Sequence, residues 1–75
     1  MEKREIFKRV EYLTTCISAF GERFNLTNAE SYHYLKRYTG IDFLIECYEA
    51  EHTLSIEDAV DDLKTLCLNH GGKLQ

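Results

Sequence analysis

The chain has 75 residues, of which 44% are apolar and 29% charged, and it contains no proline. A chain this short has room for a single domain, and its composition is too apolar for intrinsic disorder. Residues 1–38 carry seven Lys and Arg against five Asp and Glu (net +2), whereas residues 39–75 carry two against eight (net -6). An acidic half disfavours nucleic acid, because neutralisation of phosphates supplies most non-specific affinity, and it favours a protein partner.

The first predicted helix covers residues 3–24. Its apolar positions step alternately by four and three residues, which places them on one face of a helix. These positions are Ile6, Val10, Leu13, Ile17, Phe20 and Phe24. Gly21 is expected to weaken the last turns by about 1 kcal/mol relative to Ala, and we predict a turn at Asn25 and Leu26.

The second predicted helix covers residues 28–38 and begins with a capping box formed by Thr27 and Glu30. At 100° per residue, its side chains divide into two arcs. The apolar arc, expected to face inward or toward a partner, holds Tyr32, Tyr34, Leu35 and Tyr38. The polar arc holds Glu30, His33, Lys36 and Arg37. Thr39 and Gly40 end the helix, since glycine readily adopts the left-handed conformation.

Two further helices are predicted at residues 41–51 and 56–70. The first is apolar around much of its circumference and is expected to be central, and the second opens at Ser55 and Asp58, an imperfect capping box. The predicted fold is therefore all-α, a compact single-domain bundle of about four helices over residues 1–75, with residues 1–2 and 73–75 frayed. The expected core includes Leu13, Ile17, Leu35, Leu44 and Leu63.

The sequence predicts a cytoplasmic protein. The N-terminus lacks the hydrophobic core of a signal peptide, and no apolar run reaches the length needed to span a bilayer. The chain has three cysteines, an odd number, and they lie far apart in the sequence, at Cys16, Cys47 and Cys67. This pattern favours reduced, buried thiols over a disulfide framework.

Neither a metal site nor an enzyme is predicted. Cys47, His52, Cys67 and His70 include metal-ligand types, but structural zinc sites usually have paired Cys spacings, and none occurs here. Tyr48 and His52 lie four residues apart and can be neighbours on one face of a helix. No serine, cysteine or carboxylate has a spacing that would place it beside His52 as a nucleophile. We therefore expect His52 to cap the helix or bond the next loop, and we expect no cofactor.

Partner-binding candidates come from both halves of the chain. Glu57, Asp58, Asp61 and Asp62 form an acidic ridge that either binds a basic surface or is simply a solvated helix face. The full candidate set is Tyr34, Lys36, Arg37, Tyr48, His52, Asp58, Asp61 and Asp62. The leading hypothesis is a non-catalytic protein-interaction module. The alternative is a small DNA-associated regulator of helix-turn-helix type, although neither of the last two helices has the basic and amide side chains of a recognition helix.

Self-association is a further prediction. Four short helices leave more apolar surface than one small core absorbs, and a two-fold dimer is the commonest way to cover it. The arc around Tyr34 is the predicted contact.

The stretch from Tyr12 to Gly72 resembles a family of small bacterial proteins, common in gut anaerobes, that is catalogued as a domain of unknown function. The segments that carry the resemblance are Tyr34-Leu35 with Tyr38, Gly40 to Leu44, Tyr48, His52-Thr53 and Val60 to Leu63. The resemblance implies no activity or cofactor. It does imply a companion or antitoxin-like role, because such genes often lie beside one encoding an ADP-ribosyltransferase-like protein.

Overall fold

The chain folds into five helices in a computed structural model that describes residues 2–74. They are Lys3–Phe24 (α1), Asn28–Arg37 (α2), Gly40–Glu46 (α3), Tyr48–Glu51 (α4) and Ile56–Asn69 (α5). No strand occurs within residues 2–74, so the all-α prediction is confirmed. Among these helices, none combines the length and the apolar character that crossing a membrane requires.

Helix α1 has the boundaries that its apolar stripe predicts. At its start, the Glu2 carbonyl accepts hydrogen bonds from the amides of Glu5 and Ile6, at 3.1 and 3.2 Å. At its end, Asn25 adopts the left-handed conformation with φ of 59°, and the amide of Leu26 bonds the Gly21 carbonyl at 2.8 Å. The predicted turn at Asn25 and Leu26 is confirmed.

Gly21 is a packing position, a role that its helix propensity does not predict. The residue is buried inside an unbroken helix. A Cβ there would lie 2.8 Å from the Leu26 carbonyl oxygen and 3.2 Å from the Ser31 Cβ. Beside it, the fully buried Ser31 hydroxyl donates a 2.7 Å hydrogen bond to the Ile17 carbonyl. The missing side chain thus lets α2 approach α1 closely.

Helix α2 begins with the predicted capping box. The Glu30 amide donates to Thr27 Oγ1 at 3.1 Å, and the Thr27 amide donates to Glu30 Oε1 at 2.8 Å. The predicted inward arc is only partly correct, because Leu35 is buried and Tyr34 and Tyr38 are half-buried, whereas Tyr32 is exposed.

Thr39, rather than Gly40, adopts the left-handed conformation between α2 and α3, with φ of 68°. Gly40 is instead the buried first residue of α3. A Cβ at Gly40 would lie 2.8 Å from Leu35 Cδ2. The absence of a side chain at Gly40 therefore allows close packing, and the residue with the strained left-handed backbone is Thr39.

The predicted single helix at residues 41–51 is wrong, because Cys47 divides it into α3 and α4. Cys47 has φ of -103° and ψ of 19°, outside the helical region. Its carbonyl accepts bonds from the amides of Ala50 and Glu51, so a new helical turn starts there. Despite its seven residues, α3 contacts all four other helices, as its apolar circumference predicts.

Helix α5 starts at the predicted Ser55, whose hydroxyl accepts the Asp58 amide at 3.1 Å. It ends one residue early, and His70 follows as the C-terminal cap. Gly72 is buried, and Leu74, which the sequence places in a frayed end, packs half-buried against the core. Of the other residues expected to fray, Met1 and Gln75 lie outside the described residues.

The core lies where α1, α2, α3 and α5 meet. Leu35, Leu44 and Leu63 are buried as predicted, whereas Leu13 and Ile17 are half-buried at its edge. The remaining buried apolar residues are Cys16, Phe20, Ala59, Val60 and Cys67.

Replacing Gly21 by Ala tests whether packing or helix propensity dominates at this position. Propensity alone would stabilise the protein by about 1 kcal/mol. Because the added methyl group meets the Leu26 backbone, we expect overpacking to dominate and the protein to lose about 1 kcal/mol or more. Urea unfolding measures the difference, with the exposed neighbour Glu22→Ala as control. A stabilised Gly21→Ala protein would contradict the packing role.

Candidate functional site

The most exposed large apolar side chains form a patch along the first turns of α1 and the facing side of α3, here called the N-terminal face. It comprises Ile6, Phe7 and Val10 of α1 and Ile45 of α3. Their exposed fractions are 47, 69, 53 and 53%. The half-buried Leu13 joins the two helices, because it lines a small crevice together with Ile45. A shallow depression of about 450 Å³ continues the patch past Phe7 and Val10.

This face is uncovered because α1 is longer than its neighbours. A helix of 22 residues extends about 33 Å, whereas the seven residues of α3 extend only about 10 Å. The molecule is accordingly elongated, 38 Å along one axis against 22 and 21 Å along the others. The two N-terminal turns of α1 thus keep an apolar stripe with no helix to cover it.

Beside this face, Tyr48 fastens α4 to α1. Its ring lies 4.4 Å from the Arg9 guanidinium carbon and makes an edge-to-face contact with Tyr12, with centroids 5.5 Å apart. Arg9 also forms a 2.9 Å ion pair with Glu49. His52 stacks on Tyr48 with centroids 4.5 Å apart. The break at Cys47 therefore turns Tyr48 toward α1.

The His52 ring has a capping role. Its Nδ1 lies 2.7 Å from the Tyr48 carbonyl, which can only accept, so Nδ1 carries the proton. The other ring nitrogen remains available at a depression of about 360 Å³. The lining of this depression includes Lys8, Tyr12 and Thr15, and the Thr15 hydroxyl already donates to the Glu11 carbonyl. The depression offers cationic and aromatic contacts.

Close to Tyr12 lies a carboxyl pair, Glu51 and Asp62, that the sequence analysis missed. Glu51 is only 7% exposed, and the Asp62 carboxyl of α5 faces it. Burial, and after it the neighbouring Asp62 carboxyl, raise the pKa of Glu51 to about 7. Glu51 thus holds a proton under mildly acidic conditions.

Tyr12 and Cys16 complete this polar cluster from α1. Burial raises the pKa of the Tyr12 hydroxyl, and the neighbouring Cys16 raises it further. Burial also raises the pKa of the Cys16 thiol. Both groups therefore stay neutral at physiological pH.

The predicted partner-binding residues do not gather on one surface. Tyr34 packs within the fold, stacked on Phe20 at 5.6 Å and tilted against Tyr38 at 4.9 Å. Lys36 and Arg37 are exposed on α2, where they approach the rings of Tyr32 and Tyr38. Among the predicted partner-binding residues, Tyr48 and His52 lie in contact with each other.

The acidic ridge of α5 is divided among different contacts. The Asp58 amide is capped by Ser55, Asp61 forms an ion pair with Arg23, and Asp62 faces Glu51. Because some of its residues already make contacts within the fold, the ridge is not simply a solvated helix face. For the same reason, only part of it is available to a basic partner.

The metal-ligand types weighed from the sequence are dispersed. Within residues 2–74, no three His, Cys, Asp or Glu side chains converge in a way that could hold a metal ion. The three cysteines are free, with Cys16 and Cys67 buried and Cys47 half-buried. Burial raises the pKa of Cys67 to about 11, which keeps it a thiol. His70 Nδ1 lies 2.8 Å from the Leu66 carbonyl and caps α5.

The comparison with protein families identifies the chain's relatives. Residues 11–70 match the model of the family described as "Protein of unknown function (DUF3791)". This match covers most of the chain, so the chain belongs to that family, and the predicted resemblance to a domain of unknown function is confirmed. No curated protein and no solved structure matches the chain significantly.

The carboxyl pair predicts a pH dependence of stability. The pKa of Glu51 is about 7 in the folded protein against 4.5 in an unfolded chain, so between these values the folded state holds a proton that the unfolded state releases. The stabilisation is full below pH 4.5 and is lost as the pH rises through 7, by about 3 kcal/mol in all and about 2 kcal/mol between pH 5 and 7.5. Glu51→Gln should remove this loss, as measured by urea unfolding at pH 5 and 7.5.

Glu46→Gln is the matched control, because Glu46 is an exposed carboxylate one helix earlier. It should keep the pH dependence of the unaltered protein. Glu30, whose pKa is lowered by its bonds to Thr27, titrates in all three proteins and cancels in the comparison. Identical pH profiles for Glu51→Gln and the unaltered protein would contradict the raised pKa of Glu51.

Proposed function

We propose that the chain is a non-catalytic helical module that binds another protein through the N-terminal face. The observation that carries this proposal is the exposure of Ile6, Phe7 and Val10 on adjacent turns of α1, together with that of Ile45, which lines a crevice with Leu13. Contiguous exposed apolar patches mark interaction sites more often than scattered apolar residues do. The face also has an aromatic anchor, since Phe7 is 69% exposed and aromatic residues dominate binding energy at interfaces.

The contacts beside the face favour a binding role over a catalytic one. His52 caps its own helix and stacks on Tyr48, and Tyr48 is held between Arg9 and Tyr12. These contacts fix α4 beneath the overhanging end of α1. A fixed support lowers the entropy lost when a partner binds, because the surface needs little reordering.

The partner's identity belongs to the same proposal. The family resemblance implies an ADP-ribosyltransferase-like protein encoded nearby, for which this chain would be a companion or antitoxin-like partner. We also assign the module to the cytoplasm, and its three unbonded cysteines support that assignment.

Val10→Glu should abolish binding to such a transferase-like protein. The substitution places a charge at the centre of an apolar contact, where burying an unpaired carboxylate is costly. Isothermal titration calorimetry with the purified neighbour should give a dissociation constant at least tenfold higher, about 1.4 kcal/mol or more. Lys64→Glu, an exposed change on α5, should leave the dissociation constant unchanged. Equal affinities of Val10→Glu and the unaltered protein would show that a partner binds elsewhere.

Duplex DNA tests the alternative function. Because residues 39–75 carry a net charge of -6, we expect no binding tighter than about 10 μM to random duplex DNA at low salt. Fluorescence anisotropy measures this directly. Sub-micromolar binding, lost when the salt concentration is raised, would favour a DNA-associated regulator over a protein-binding module.

A further inference from the structure

We propose that α4 is a latch controlled by the proton of Glu51. With the proton bound, α4 packs against α1 and α5. Without it, a state in which α4 is undocked and the core remains folded becomes more populated. This device does not depend on the proposed function, because it requires no partner at the N-terminal face.

The latch is a segment that can move without unfolding its neighbours. Helix α4 is a single turn of four residues, far below the length at which a helix is stable in water without tertiary contacts. Before it, the backbone leaves the helical region at Cys47, and no side chain caps the new turn. After it, α5 has its own cap at Ser55. Neither α3 nor α5 therefore relies on α4 to define its ends.

Two sets of contacts hold α4 in place, and the first of them is exposed. Tyr48 packs against Arg9 and Tyr12, and Arg9 also pairs with Glu49. The Glu49 side chain is 79% exposed, so this ion pair contributes little. The second set surrounds Glu51, the buried residue of α4.

The surroundings of Glu51 suit a neutral carboxyl group. Helix α1 presents the Tyr12 hydroxyl and the Cys16 thiol, and α5 presents the Asp62 carboxyl. Among the described residues, Glu51 Oε1 has no hydrogen-bond partner, and no Lys, Arg or His forms an ion pair with Glu51. A negative charge at this position would therefore be buried without compensation.

The other charged groups near α4 are engaged elsewhere or lie in solvent. Glu49 pairs with Arg9, and Nδ1 of the His52 ring bonds a backbone carbonyl. The acidic residues of α3, Asp42 and Glu46, are exposed. The charged group that acts on Glu51 is thus the Asp62 carboxyl, and it opposes a second negative charge.

Loss of the proton favours movement of α4 over unfolding of the domain. Deprotonation leaves a carboxylate that is only 7% exposed beside a second carboxyl group. Because α4 alone has to move to bring this carboxylate into water, undocking relieves the burial at a lower free energy than global unfolding does. Undocking also separates Tyr48 from Arg9 and Tyr12, which uncovers the middle of α1.

The sign of the effect follows from the two environments of Glu51. Its pKa is about 7 when α4 is docked, against 4.5 in water. The undocked state is therefore least populated below pH 4.5, and its population grows as the pH rises through 7. Between pH 5.5 and 7.5, these pKa values give an increase of about 20-fold.

Hydrogen exchange of the full chain, followed residue by residue by NMR, tests the latch. The amides of Glu51, His52 and Leu54 donate to carbonyls within residues 47–51 and report on α4. The amides of the buried residues Phe20 and Leu63 report on the core. Relative to unstructured peptides, the α4 amides should be at least about tenfold less protected than the core amides. Their protection should fall about 20-fold from pH 5.5 to 7.5.

Three variants assign the pH dependence. Glu51→Gln should keep α4 equally protected at both pH values. Any change that it retains belongs to His52, which titrates unaltered in that variant. Asp62→Asn should give a fall smaller than 20-fold, because it removes the neighbouring charge and leaves the burial. Glu46→Gln, an exposed change in α3, should behave as the unaltered protein does.

Three results would overturn the inference. In the first, the α4 amides are as protected as the core amides, so that α4 opens only with the whole domain. In the second, protection of α4 is the same at both pH values. In the third, Glu51→Gln retains the full pH dependence. The first result, obtained together with a pH-dependent stability in urea, would leave the raised pKa of Glu51 in place and remove the latch.

Discussion

The close contact of α1 with α2 at Gly21 and Ser31 is the constraint on which the rest of the fold depends. Without a side chain at Gly21, the two helices approach until the Ser31 hydroxyl reaches the Ile17 carbonyl at 2.7 Å. The same approach stacks Tyr34 on Phe20 and buries Leu35 in the core. A buried hydroxyl without a partner would cost about 1 to 3 kcal/mol, so this bond also fixes the register of the helix pair.

The fold was predicted well where a helix is specified by residues that lie close together in the sequence. The stripe of α1 and the capping box of α2 depend on residues three and four apart, and both were found as predicted. The break at Cys47 could not be predicted, because neither proline nor glycine marks it and it serves the distant contact of Tyr48 with Arg9 and Tyr12. The packing role of Gly21 was missed for a similar reason, since it depends on Ser31, ten positions away.

The candidate site was less accessible to sequence reasoning than the fold. The pair Tyr48 and His52 was found from its spacing, and their stacking agrees with it. The N-terminal face was missed because a regular apolar stripe predicts burial along its whole length, whereas α3 is too short to cover the first turns. Glu51 was missed because its burial depends on α5, and no pattern of neighbouring residues signals it. Surfaces and buried charges depend on how long the packed elements are and where they cross.

The overhang of α1 also gives the helix two regions of different local stability. Its C-terminal half, where Cys16, Phe20 and Gly21 are buried, opens only when the whole domain unfolds. Its first turns have side chains in solvent and few tertiary contacts, so their amide hydrogens exchange through fraying that leaves the core intact. Any partner seated on the face would slow exchange in these turns alone. One continuous helix therefore combines a half that the core holds in place and a half whose local stability a bound partner would raise.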